Sequence, residues 1–178
     1  QSGLFGKPSN INNVKTLTYI PQILLNGGDW FASIGTERSK GTAILCFSGD
    51  LTYTGMVEIP LGITLKEVIL EMAGGVPLGK NLKLVQTGGP LGGFLDSDNL
   101  EIALDFDEMS QAGAILGSGG LIAAADDSCV VDLTRSLIAF CQFESCGKCF
   151  PCRNGMSHLL EILDRICRLE GNPKDLDV

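Results

Sequence analysis

The spacing of apolar positions changes several times along the chain, and each change predicts an element. Val14, Leu17, Ile20, Ile23 and Leu24 recur at helical spacing, which predicts an amphipathic helix with Asn12 or Asn13 at its N-cap. Gly27-Gly28-Asp29-Trp30-Phe31 ends that helix, and Gly35-Thr36 and Ser39-Lys40-Gly41 lead into a new texture. Trp30 and Phe31 are expected to pack against the neighbouring domain. Thr42 to Gly49 and Gly55 to Pro60 read as strands joined by a turn around Asp50. Thr64 then caps a short helix with Leu65, Val68, Ile69 and Met72 on one face, stopped by Gly74-Gly75. Leu82 to Thr87 is a third strand, followed by a glycine-rich turn from Gly88 to Gly93 and an irregular acidic stretch. Gly119 to Ala125 reads as the last strand.

The period returns to that of a helix from about Cys129 to Phe143, with Val130, Leu133, Leu137 and Cys141 on one side and Asp126-Asp127-Ser128 as cap. A second amphipathic run carries Met156, Leu159, Leu160, Leu163, Ile166 and Cys167 at i, i+3, i+4, i+7, i+10 and i+11. Its N-terminus is expected near Asn154 or Gly155, and Gly171 and Pro173 end it. Strand, strand, helix, further strands is the order of a β-grasp domain. The prediction is therefore an α+β chain: a β-grasp domain flanked by an N-terminal helical segment and a C-terminal helical segment.

Composition narrows the function classes. Of 178 residues, 44% are hydrophobic and 19% charged, which describes a soluble globular protein. No apolar run approaches the roughly 20 residues of a membrane helix, so no direct membrane insertion is expected. A net charge of -8 argues against nucleic acid as a partner, since that partner selects basic surfaces. Seven cysteines without a secretory segment point to a reducing, cytoplasmic setting and to metal or redox use. The opening at Gln1 suggests a piece of a longer protein.

The candidate chemistry lies between the two C-terminal helices. Cys146, Cys149 and Cys152 are separated by two residues each, with Gly147 after the first and Pro151 before the last. Structural zinc more often takes two Cys-x-x-Cys pairs, whereas iron-sulfur clusters use this triple run. Redox-active thiols are the third possibility. Lys148, Arg153 and the N-terminus of the following helix could offset the charge of an anionic cluster. A fourth ligand is missing from the run. A bacterial ferredoxin would place a Cys-Pro where Met156 stands; Cys167 lies about 18 Å along the helix at ~1.5 Å per residue and reads as a core thiol. Cys141 reads as part of a buried helical face, and Cys46, between Leu45 and Phe47, as a buried strand thiol. The glycine clusters, including Gly117-Ser118-Gly119-Gly120, read as tight turns, because they lack the third glycine of a G-x-G-x-x-G phosphate cradle. His158 falls on the polar side of its helix.

Ser-Cys-Gly-Lys-Cys-Phe-Pro-Cys-Arg-Asn-Gly at Ser145 to Gly155 resembles the cluster loop of the flavin-binding, NADH-oxidising subunit of respiratory complex I. Diaphorase subunits of NAD(P)-linked hydrogenases, electron-bifurcating ones included, and of formate dehydrogenases are its relatives. Near the N-terminus, Gly6-Lys7-Pro8-Ser9-Asn10-Ile11-Asn12-Asn13-Val14-Lys15-Thr16 resembles the stretch that closes the flavin domain of that family. Ser9 and Lys15 stand where Thr and Glu are usual. The resemblance implies that Asn12, Asn13 and Thr16 contact FMN, and that Cys146, Cys149 and Cys152 hold a 4Fe-4S cluster whose fourth cysteine lies beyond Val178.

It also implies three domains: residues 1–40 as the end of the flavin and nicotinamide domain, 41–126 as a soluble-ligand-binding β-grasp domain, and 127–178 as the first part of a helical cluster domain. FMN and NAD(P)H would belong to the full-length protein, leaving this piece inactive alone. The implied partners are other subunits of a multi-subunit oxidoreductase, among them an iron-sulfur electron acceptor, with any membrane association peripheral and through those partners. Lys148 and Asn154 lean toward the hydrogenase type. The rival expectations are a β-grasp binding module with structural zinc and no redox role, and a scaffold that docks subunits.

Overall fold

In the computed structural model, which describes residues 2–177, β1 (Thr42–Gly49) alternates between two environments. Ala43, Leu45 and Phe47 are buried while Ile44 and Cys46 face the other way, as the two-residue period of a strand requires. Cys46 is therefore exposed, not the buried thiol expected. Its apolar neighbours in sequence are on the opposite face, and two buried neighbours in a strand put the residue between them outside.

β1 pairs antiparallel with β2 (Gly55–Pro60) and parallel with β5 (Gly120–Ala125). β5 pairs antiparallel with β3 (Leu82–Thr87), and β3 with β4 (Gly93–Asp96), giving the order β2-β1-β5-β3-β4. A helical turn from Leu65 packs Leu65, Val68 and Ile69 into the core beside Leu45, Ile59, Val85 and Leu121. Thr64 and Glu67 cap it reciprocally: the Glu67 N–H donates to Thr64 Oγ1 at 3.2 Å, and the Thr64 N–H donates to Glu67 Oε2 at 2.8 Å. Over Glu67–Met72 the turn widens to π geometry, with the Ala73 N–H donating to the Val68 carbonyl at 2.9 Å.

The acidic stretch is more ordered than its composition suggested. It holds β4, a 3-10 turn at Ser97–Asn99 and a helix at Phe106–Gln111, α3. Asp105 caps α3 by accepting from the Glu108 N–H at 2.8 Å, and Met109 is its buried residue. α1 (Val14–Asn26) and α2 (Gly28–Ala32) precede the sheet in the chain. α2 occupies residues expected to be only a helix stop. Phe31 packs against Tyr19 with ring planes tilted by 54° and centroids 5.4 Å apart, and the Tyr19 hydroxyl donates to the Thr42 carbonyl at 2.7 Å, which ties α1 and α2 to the sheet. Trp30 remains 40% exposed.

Asp50 carries the sheet into the C-terminal helices. Its N–H donates to the Ala123 carbonyl at 2.8 Å, and Oδ2 accepts from the Ala125 N–H and the Ser128 hydroxyl, each at 2.9 Å. α4 (Val130–Phe143) and α5 (Phe150–Cys167) follow as an antiparallel pair. Arg135 reaches Asp164 at 3.6 Å and Gln142 reaches Ser157 at 3.3 Å, so one register holds along the pair. Among the described residues no helix is long and apolar enough to cross a membrane.

Candidate metal centre

The turn between α4 and α5 is shaped by bonds made within ten residues of sequence. Gly147 sits at φ +69, where a side chain is disfavoured. Its N–H donates to Ser145 Oγ at 3.2 Å, and its carbonyl accepts from Arg153 Nη1 at 2.7 Å. The Arg153 guanidinium also lies over the Phe150 ring, 5.9 Å from its centroid. A hydroxyl on one side and a guanidinium on the other thus hold the segment that carries Cys146 and Cys149.

α5 starts earlier than its sequence suggested. Phe150 opens it with Cys149 at the N-cap, and the first helical bond runs from the Arg153 N–H to the Cys149 carbonyl at 2.9 Å. Pro151 begins the helix instead of delaying it, because the first turn needs no N–H from that position. Cys149 and Cys152 therefore flank a helix N-terminus with no side-chain cap and no acidic residue in its first turn. Such an end favours negative charge. Cys152 Sγ lies 3.6 Å from Ser145 Oγ.

Cys146, Cys149 and Cys152 are all free and exposed. Among the described residues no three His, Cys, Asp or Glu side chains are gathered as a single ion would need. Three soft thiolates with no imidazole or carboxylate between them fit the iron-sulfur donor set.

The other cysteines are placed differently from expectation. Cys167 is exposed, not a core thiol, because the two-helix pair has too little depth to bury that face. Cys141 is half-buried and, with Phe140, Glu144, Pro90 and Leu91, lines a cavity of about 420 Å³ between α4 and the glycine-rich turn. His158 belongs to no metal-ligating group among the described residues.

At the other end of the chain Asn13 caps α1, its Oδ1 accepting from the Lys15 N–H at 2.9 Å. Asn13 and Thr16 line a cleft of about 360 Å³ with Cys46, Phe106 and the Gly117 to Gly119 turn, whereas Asn12 is outside that lining. Gly119, at φ +89, has its Cα so close to β1 that an added Cβ would stand 2.1 Å from the Ile44 carbonyl oxygen, so this cluster is a tight turn. Ser145 carries no metal-ligand signal in the sequence, although a serine two residues before a glycine is the pattern of a side-chain-to-backbone turn.

Residues 132–178 match the NADH-ubiquinone oxidoreductase-F iron-sulfur binding region. The chain is 46% identical over 177 residues to the NADP-reducing hydrogenase subunit HndC of Solidesulfovibrio fructosivorans, covering 99% of this chain and 36% of the relative. It is 41% identical over 176 residues to an NADH-quinone oxidoreductase subunit of Rhizobium meliloti, covering 99% of this chain and 42% of that one. The chain thus spans well under half the length of these relatives. A crystal structure of an air-oxidized NAD+-reducing NiFe hydrogenase superposes with a TM-score of 0.84 at 31% identity, over 98% of this chain and 30% of the solved one.

Proposed function

We propose that this chain, a homologue of NADH-quinone oxidoreductase subunits and of hydrogenase subunit HndC, is the electron-relay portion of an NAD(P)H-oxidising flavoprotein subunit. Cys146, Cys149 and Cys152 are three ligands of its 4Fe-4S cluster, and the fourth is a cysteine of the full-length protein outside residues 1–178. The observation that carries this reading is the placement of three free thiols on one short loop at an uncapped helix N-terminus, inside the iron-sulfur binding match. When bound, the cluster supplies one-electron chemistry between a two-electron flavin and the next acceptor. The chain's own residues hold the thiolates in place through Gly147 and Arg153, and they offset negative charge with the α5 N-terminus and the Arg153 and Lys148 cations.

The sheet order, with its parallel central pair and a helix across one face, supports the β-grasp assignment for residues 41–126, with residues 1–40 and 127–178 as flanking segments. The presence of Asn13 and Thr16 on one cleft supports their role toward FMN; Asn12, their neighbour in sequence, is proposed with them. Partner subunits, including an iron-sulfur electron acceptor, and a cytoplasmic site with peripheral membrane association through those partners belong to the same proposal.

Iron, acid-labile sulfide and zinc content after anaerobic reconstitution tests it, alongside Cys149→Ser. Iron and sulfide in equal amounts, lost in the variant, are expected. Zinc without sulfide would replace electron relay with a structural site.

A further inference from the structure

We infer that Ser145 is a positioning residue for the cluster, its hydroxyl donating a hydrogen bond to the Cys152 thiolate. The inference rests on the ligand reading above and goes beyond it. Ser145 Oγ lies between two groups, accepting from the Gly147 N–H at 3.2 Å and standing 3.6 Å from Cys152 Sγ. The first bond occupies a lone pair and leaves the hydroxyl hydrogen free. As a free thiol, Cys152 could act as donor or acceptor; as a ligand it is a thiolate and has no proton to give. Ligation therefore fixes the direction of the contact from Ser145 to sulfur.

One side chain thereby couples the left-handed turn at Gly147 to the sulfur on the first turn of α5. Cys146 lies between Ser145 and Gly147, so the same hydroxyl constrains the backbone on both sides of that cysteine. A hydrogen bond to a ligating sulfur stabilises the more negative, reduced state, and the potential rises with it. Removing the bond lowers the potential.

The test compares Ser145→Ala and Ser145→Thr in the holoprotein, reading the midpoint potential by titration followed with electron paramagnetic resonance, and iron retained per protein. For Ser145→Ala, the reduced-to-oxidised ratio at a fixed potential is expected to fall about tenfold, equivalent to 59 mV for a one-electron couple. Ser145→Thr, which keeps the hydroxyl, is expected to restore it. An unchanged potential in the alanine variant overturns the inference. If alanine instead sheds iron, retention in the threonine variant supports the hydroxyl's role, and equal loss in both overturns it. Exchange of the Gly147 amide with deuterium should also accelerate in the alanine variant alone, a readout independent of the cluster. Wild-type holoprotein without iron and sulfide would remove the ligand reading itself, a result distinct from a failed serine effect.

Discussion

Asp50→Ala is the substitution that most directly tests how the sheet is joined to the helix pair. The β1–β5 pairing ends at Gly49 and Ala123, and Asp50 continues it with one main-chain bond to Ala123 and one carboxylate bond to the Ala125 N–H. Ala125 is fully buried, so its N–H loses a charged acceptor and gains no water. A hydrogen bond to a charged group is worth about 1.5–3 kcal/mol, and an orphaned buried donor sets the cost toward the upper end. Loss of the Ser128 contact adds about 1 kcal/mol, for a total of roughly 4 kcal/mol. With an m-value of about 2 kcal/mol per molar urea, the midpoint should fall by about 2 M with little change in slope. The carboxyl is held below its usual range first by the Ala125 N–H, then by the Ser128 hydroxyl and the Lys80 charge, against opposing burial. A depressed folded pKa contributes stability that is full above the unfolded value of about 3.9 and is lost as pH falls through the lower folded value. The gap between wild type and variant should therefore be constant from neutral pH to about pH 5 and narrow below pH 4. Equal urea midpoints at pH 7 would refute the argument, and a gap undiminished at low pH would refute the role given to the charge.

Gly49→Ala is expected to be comparably damaging, because Gly49 sits at φ +91 and an added Cβ would lie 2.2 Å from the Ala123 carbonyl oxygen. A cost of about 4 kcal/mol would appear as a large drop in the thermal midpoint, and a midpoint within a few degrees of wild type would contradict the close approach. Arg153→Lys should leave the thermal midpoint unchanged but release iron to a chelator about tenfold faster, since an ammonium cannot both bond the Gly147 carbonyl and cover the Phe150 ring. Equal release rates would show that the guanidinium does not secure the loop.

The strands Thr42–Gly49, Gly55–Pro60 and Leu82–Thr87 are legible to the residue because apolar runs end at Gly, Pro or a glycine cluster. β4 and the short helices α2 and α3 are not, since four to six residues complete too little of a period to register. That Cys146, Cys149 and Cys152 share one short stretch between two helices follows from spacing alone. The start of α5 does not, because Pro151 and Gly155 also read as breakers; a proline in the first turn is a start signal, and only the bond from Arg153 back to Cys149 distinguishes the two. Cys46 departs from expectation because its apolar neighbours Leu45 and Phe47 lie on the opposite face of the strand. Cys167 departs because apolar neighbours on a shared helical face predict burial only when that face has something to pack against.

That difference separates the chain into two physical regimes. The sheet and the turn from Leu65 enclose a core in which Leu45, Leu65, Val68, Ile69 and Val85 are fully buried, so its order is intrinsic. α1, α4 and α5 contain no fully buried residue, and Phe140, Phe143 and Phe150 beside the cysteine loop are more than half exposed. The loop nevertheless has a defined shape, because Ser145, Gly147, Phe150 and Arg153 make it from contacts within a few residues. Changes in the loop should therefore move cluster retention and potential without moving the melting of the sheet, and changes in the sheet core should do the reverse. Asp50 is where the two meet, since its single carboxylate ends a strand pairing and anchors Ser128 ahead of α4. A substitution there is the one expected to move both observables together.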